Sequence, residues 1–233
     1  MSKLHLLVFT FLIFSAKVKC QKLYQASEVN VILSVADINR NGDQIKTPVR
    51  FAPFVNISQQ LNFDISRNLG ICSGVEIKNI GLTMQDSIIS KHRAYSGGIN
   101  LSVKLGNFKR NIYVFAGGSY EYLFSYKERI ILDNEEIIRR NYYRNDINQF
   151  LPALMAGVNI KGLTFRVQYY LDNFFSDKYA FVDNANNIYS PLEKSELILV
   201  MIGLRKNFKD ILRKKEKDYH GGSNAFYAYK NAP

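Results

Sequence analysis

The sequence has no tryptophan and only 2 cysteines in 233 residues, and beyond its first segment it has no long apolar run. Each shortage excludes something. Cys20 falls in the N-terminal segment, so Cys72 alone remains in the body of the chain and no disulfide can form within it. Small exported domains often depend on such bonds, whereas a large closed barrel does not. No internal stretch stays apolar for the roughly 20 residues of a helical membrane span. His92 and His220 are the only histidines beyond the N-terminal segment, and neither has a second His or Cys at ligand spacing. A metal site, a cofactor and a catalytic centre are therefore not expected.

The N-terminal segment reads as a signal peptide over residues 1–20. Lys3 supplies a short positive region, Leu4 to Ala16 form an almost unbroken apolar run, and Val18 and Cys20 sit at the third and first positions before Gln21. Lys17 and Lys19 beside them are unusual for a cleavage site. A lipoprotein acylated at Cys20 and a buried N-terminal helix are the alternatives. Removing Lys3, Lys17 and Lys19 lowers the formal charge from +11 to +8. The remaining basic residues are scattered, and an exported basic protein meets anionic lipid and polysaccharide before it meets nucleic acid.

What is abundant is aromatic and alternating. The chain has 15 Tyr and 16 Phe, residues suited to the interfacial girdles of a membrane barrel but also to a soluble sandwich. From Glu28 onward the apolar period is two, as in strands whose alternate side chains leave opposite faces. Val29, Val31, Leu33 and Val35 alternate with Asn30, Ile32, Ser34 and Ala36. The pattern recurs over 49–58, 69–78, 95–105, 112–124, 150–160, 163–171 and 197–205, the last being apolar on both faces through its first half. This predicts an all-β, closed, antiparallel up-and-down barrel of about eight strands occupying residues 21–208.

The two faces differ in a way that favours a membrane. One set is apolar for about ten residues per strand, the length of a tilted crossing. The other mixes small residues with Arg50, Glu76, Lys78, Lys104, Glu121, Arg166 and Arg205. Opposite charges of this kind pair inside a narrow lumen, and eight strands enclose only enough space for side chains or one small ligand. A structural charge cluster in a packed interior is the expectation, with small-solute transport as a weaker option. A soluble lipocalin-like barrel binding an apolar ligand is the alternative, and it requires Val31, Val55, Val103 and Val167 to point inward.

Short links at 106–110 and 161–162 alternate with longer polar ones at 39–47, 82–91, 127–148 and 176–193, as when one rim faces the periplasm and the other the outside. The link at 59–68 is a partial exception. With eight strands both termini fall on the short-turn side. The longest link carries Arg139, Arg140, Tyr142, Tyr143 and Arg144, a mixture common on recognition surfaces and also suited to anionic glycolipid. Gly97-Gly98 and Gly117-Gly118 lack the lysine and helix of a phosphate loop and read as relief of crowding or bends in a barrel wall. His92 reads as a solvated rim residue and Cys72 as a packed, inert thiol.

Several segments resemble a known family. Pro48-Val49-Arg50-Phe51 through Gly74-Val75-Glu76-Ile77-Lys78-Asn79-Ile80-Gly81, Tyr113-Val114-Phe115-Ala116-Gly117-Gly118, and the closing Ile202-Gly203-Leu204-Arg205-Lys206-Asn207-Phe208 are similar to the outer-membrane β-barrel domain family of porin-like proteins common in the Bacteroidota. The resemblance covers roughly residues 24–208. It implies insertion into the outer membrane by the barrel-assembly machinery, contact with outer-membrane lipid and lipopolysaccharide, and no catalytic residues. It also implies that Phe208 is the terminal-strand aromatic that the assembly machinery recognises. The chain departs from that pattern by continuing through 209–233, which reads as a charged periplasmic extension.

Overall fold

The structure, a computed structural model, describes residues 22–210 except 41, 55, 86–88, 133–134, 142–145, 180, 183–187 and 190–191. The strands are β1 (Lys22–Arg40), β2 (Asp43–Ile45), β3 (Arg50–Ala52), β4 (Ile57–Asp64), β5 (Leu69–Gln85), β6 (Ile89–Asn107), β7 (Ile112–Leu132), β8 (Glu135–Asn141), β9 (Phe150–Ile160), β10 (Leu163–Tyr170), β11 (Phe181–Val182), β12 (Ile188–Tyr189) and β13 (Lys194–Asp210). Eight of them form a closed antiparallel wall in the order β1, β4, β5, β6, β7, β9, β10, β13, and β13 pairs back onto β1 from Val29 opposite Leu204 to Asn39 opposite Lys194. Closure joins the first and last strands of the wall, as a barrel requires. β2 and β3 prolong the β4 position along β1, β8 extends the sheet beside β7, and β11 and β12 pair apart from the barrel.

The alternating apolar set faces outward. On β6, Ile99, Leu101 and Val103 are 62%, 59% and 48% exposed, while Asn100, Ser102 and Lys104 between them are buried. Val167 on β10 is likewise exposed and Val31 on β1 is half-buried between buried Asn30 and Ile32. Three of the four valines that a lipocalin-like interior needs thus lie on the outer face, and Val55 lies outside the described residues. An apolar belt about eleven residues tall, from Tyr95 to Leu105 on β6, matches the length of a tilted crossing. Its upper edge carries a girdle in which Tyr95 stacks on Phe124 and Phe150 meets Tyr120 and Tyr122.

Above that girdle the strands continue with inverted polarity. On β5 the outward residues pass from Val75 and Ile77 to Asn79, Gly81 and Thr83, while the inward ones change from Glu76 and Lys78 to Ile80, Leu82 and Met84. The wall does not break; the apolar set moves from the lipid-type face to the core-type face. A strand that leaves an apolar medium for water must bury its apolar side chains inward, as a soluble barrel does. This inversion explains why the expected long links at 82–91 and 127–148 are mostly strand. β5 and β6 are separated by residues 86–88 alone, and β7 and β8 run as a hairpin to Asn141. It also explains the first half of β13, where Leu197, Leu199 and Met201 fill the upper interior and Ile198 and Val200 face out.

A second correction concerns the expected strand over 49–58. The wall strand there is β4, and the link at 59–68 contracts to a turn at 65–68 closed by Ile65 and Ser66 N–H donating to Leu69 O. Gln60, Asn62 and Asp64 looked loop-like because their face is the polar lumen. The break precedes β4, where Pro53 has no N–H to offer the ladder. Asn56 patches it: its Nδ2 donates to Ala52 O at 2.8 Å, and its Oδ1 accepts from Asn79 N at 2.8 Å. With this turn, all three links on the lower rim are short, and both ends of the described barrel meet there, Tyr24 opposite Asp210.

Candidate functional site

The lumen is the only place where charge is concentrated indoors among the described residues, and its chemistry changes with height. The lower and middle thirds hold Glu28, Asp64, Glu76 and Glu121 together with Lys78, Lys104, Arg166 and Arg205, four of each sign and all buried at the side chain. Buried charges are tolerated only when paired and hydrogen-bonded, and these are. Lys78 Nζ lies 2.8 Å from Glu76 Oε1 and 2.5 Å from Glu121 Oε1, and donates to Gln168 Oε1 at 2.8 Å. Arg166 Nη1 donates to Glu76 Oε2 at 3.0 Å, and its Nη2 is 3.9 Å from Glu28 Oε1. Tyr170 and Ser96 hydroxyls donate to Glu121 Oε2 at 2.9 and 2.8 Å.

Lower down, Lys104 Nζ pairs with Asp64 Oδ1 at 2.7 Å and donates to Asn62 Oδ1 at 3.0 Å, with Tyr24, Phe108 and Tyr113 rings around it. Arg205 reaches Glu28, Gln60 and Asn62. Between these layers is a cavity of about 10 Å³, the space of a single water. Asn100, Tyr113 and Arg166 turn polar atoms that have no protein partner toward this region.

Six of the seven expected lumen charges are therefore brought together. Arg50 is not among them: its Nη2 donates to Asn79 Oδ1 at 2.8 Å, where Arg93 Nε also donates at 3.1 Å. The residues that sequence reading missed are Glu28 and Asp64. Each had a signal, since Glu28 keeps step with Asn30 and Asp64 with Ser58, Gln60 and Asn62. The latter run reads as a link, which hides the parity.

The upper third is apolar and aromatic. Ile32, Ile80, Leu151, Leu197, Leu199 and Tyr170 form its floor. Above them, the segment after β10 folds into the mouth and buries Phe174, Phe175 and Tyr179. It is tied down by Phe174 N donating to Ser195 O at 2.8 Å, Phe175 N to Ser195 Oγ at 3.1 Å and Asn148 N to Phe174 O at 3.0 Å. His92 is not a solvated rim residue. It is 0% exposed, with Nδ1 2.7 Å from Tyr126 OH and Nε2 3.0 Å from Ser90 Oγ, and Phe175 packs edge-on at 4.9 Å. The reason is the polarity inversion, which makes its face an interior one.

The remaining expected site residues are dispersed. Arg139 and Arg140 lie on β8, opposite Glu128 and Lys127 in register, and Tyr142, Tyr143 and Arg144 lie outside the described residues. Phe208 is exposed near the end of β13 at the lower rim. Cys72 is buried with Sγ 3.1 Å from Gln60 Oε1. Residues 1–20 and 211–233, which hold the expected signal peptide and most of the tail, lie outside the described residues. Among the described residues no group of three His, Cys, Asp or Glu side chains is placed to hold a metal.

No protein-family model matches the chain, and no curated protein matches its sequence. Among solved structures the chain is similar to Ail, the attachment invasion locus protein of Yersinia pestis, at 9% identity and a TM-score of 0.39, over 80% of this chain and 99% of that one. It is similar to Neisserial surface protein A at 9% identity and 0.39, over 80% and 97%. The outer membrane protein OprG from Pseudomonas aeruginosa gives 9% and 0.38, over 80% and 96%.

Proposed function

We propose that this chain is a non-enzymatic outer-membrane barrel of structural or surface-interaction type, with a packed lumen and with its lower rim and both termini in the periplasm. The observation that carries the reading is the division of the interior into a charge-neutral paired network and an apolar seal. An open pore needs a continuous wet path, and the fully buried Leu151, Leu197, Leu199 and Phe174 lie across the upper third of this one. The placement of the termini is supported by the short turns and both chain ends sharing one rim. Insertion by the barrel-assembly machinery, with Phe208 as the terminal-strand signal, belongs to the same reading, as does interaction through the upper rim, where β8 carries Arg139 and Arg140.

The test is electrical. Purified barrel reconstituted in a planar phospholipid bilayer is expected to leave the membrane at its baseline conductance. Reproducible unitary steps would contradict the packed-lumen reading and favour solute transport.

A further inference from the structure

Where β1 meets β13 on the upper wall the outward charges are balanced. Lys194 Nζ sits 2.8 Å from Asp37 Oδ2 and 3.2 Å from Glu196 Oε2, and this neighbouring ammonium holds the Asp37 carboxyl below its ordinary range. The arc formed by β3, β5, β6 and β7 is different. Lys91 and Arg93 face outward on β6 between buried Ser90, His92 and Ala94, and Lys127 faces outward on β7 directly opposite Arg93. Arg50 and Arg93 converge on the amide oxygen of Asn79, and Arg93 Nη2 also donates to Tyr95 OH at 2.6 Å. Among the described residues none of these four cations has a carboxylate partner. Like charges placed opposite each other across strands destabilise a sheet, and a neutral amide does not cancel them. The arc calls for an external anion.

A second feature lies directly beneath it. An apolar groove of about 650 Å³ opens on the outer face of the belt, lined by Ile57, Val75, Ile77, Ile99 and Tyr122 around Gly97. Gly97 creates the dent: a Cβ there would meet only Phe124 Cε1, at 3.8 Å. Gly97 and Arg93 are on the same face of the same strand, so the cations lie about 13 Å above the groove at the rise of an extended chain. The Tyr95–Phe124 stack stands between them, at the height where headgroup meets acyl chain.

From these two observations we infer a lipid site: the groove takes an acyl chain and Arg50, Lys91, Arg93 and Lys127 take the phosphate of the same molecule. The inference rests on the membrane reading. It names as occupant a phosphate-bearing lipid of the leaflet at the upper rim, because an apolar slot about 13 Å beneath an uncompensated cationic cluster, on the same outer face, fits an amphiphilic anion and not a soluble one.

The test is retention of lipid by the full-length barrel in detergent, read as adducts in native mass spectrometry after mixing with dimyristoyl phosphatidic acid or dimyristoyl phosphatidylcholine. The phosphatidic acid adduct is expected to predominate by about tenfold or more. Arg93→Gln with Lys127→Gln is expected to reduce it by about thirtyfold, since each basic residue at a membrane surface contributes about fivefold. Gly97→Leu, which fills the groove and touches no charge, is expected to reduce it as well. Lys109→Gln with Arg110→Gln, on the lower rim, is expected to leave it unchanged. Equal adducts for the two lipids, or undiminished adducts in both upper variants, would overturn the site. Displacement by inorganic phosphate alone would overturn the lipid assignment in favour of a simple anion site. Heat-modifiable gel migration of every variant reports insertion separately, so loss of the lipid site with an intact barrel is distinguishable from failure of the membrane reading.

Discussion

Replacing Arg166 with methionine is expected to destabilise the barrel by about 3–5 kcal/mol, the range for removing one partner of a buried ion pair. The size follows from what is left behind. Glu76 and Glu28 both face Arg166, at 3.0 and 3.9 Å, and both are buried from bulk solvent. Methionine keeps the length of the side chain but leaves the lumen one positive charge short among its four carboxylates. A companion change separates this electrostatic cost from lost packing. Glu76→Gln combined with Arg166→Met restores neutrality, because Lys78 keeps Glu121 and Glu28 keeps Arg205. The double variant is therefore expected to be more stable than Arg166→Met alone, a non-additivity that contacts without charge would not produce. Urea unfolding in phospholipid vesicles measures both. A double variant that loses the sum of the two single losses would show that the network is a collection of independent contacts.

Replacing Leu101 with arginine is expected to cost about 2–4 kcal/mol in the same vesicles, the value for a cation near the bilayer midplane. Leu101 is exposed at mid-belt on β6, with Ile99 and Val103 beside it on the same face. On a soluble barrel such an exposed leucine would accept arginine almost without penalty. The same change at Thr83, outward on β5 and above the girdle, is expected to cost less than about 1 kcal/mol, chiefly from the Lys91 that faces it across the strands. Arg93 already occupies a comparable height on β6, opposite Gly81. The gradient between positions 101 and 83, rather than either value alone, is what the apolar belt predicts.

How much of this was legible in the sequence depends on the medium around each stretch. Within the belt, period two and an apolar face give most strands and their orientation almost to the residue, as for Phe150–Ile160, with β4 the exception. Above the belt the alternation persists but changes sign, and Ile80, Leu82 and Met84 inside with Thr83 and Gln85 outside read as the end of a strand. His92 reads as a rim residue for the same reason. The lumen charges were readable because a charge on the small-residue face has nowhere to go but inward. Arg50 follows that parity and yet bonds Asn79, because β3 ends at the Pro53 break and sits at the edge of the patched ladder. Nothing in the local pattern announces the burial of Phe174, Phe175 and Tyr179, since their partners Ser195, Asn148 and His92 come from β13, the link before β9 and β6, far apart in the chain.

The absence of tryptophan makes the central claim directly measurable. Single tryptophans placed at the outward β6 positions 91, 99, 101, 103 and 105 report their surroundings against a silent background. In vesicles containing lipids brominated at mid-chain, quenching is expected to peak at positions 99 and 101, decline toward 105 and be weakest at 91, with aqueous iodide giving the reverse order. Iodide quenching at position 101 as strong as at position 91, with no preference from the brominated lipid, would contradict a membrane-spanning belt.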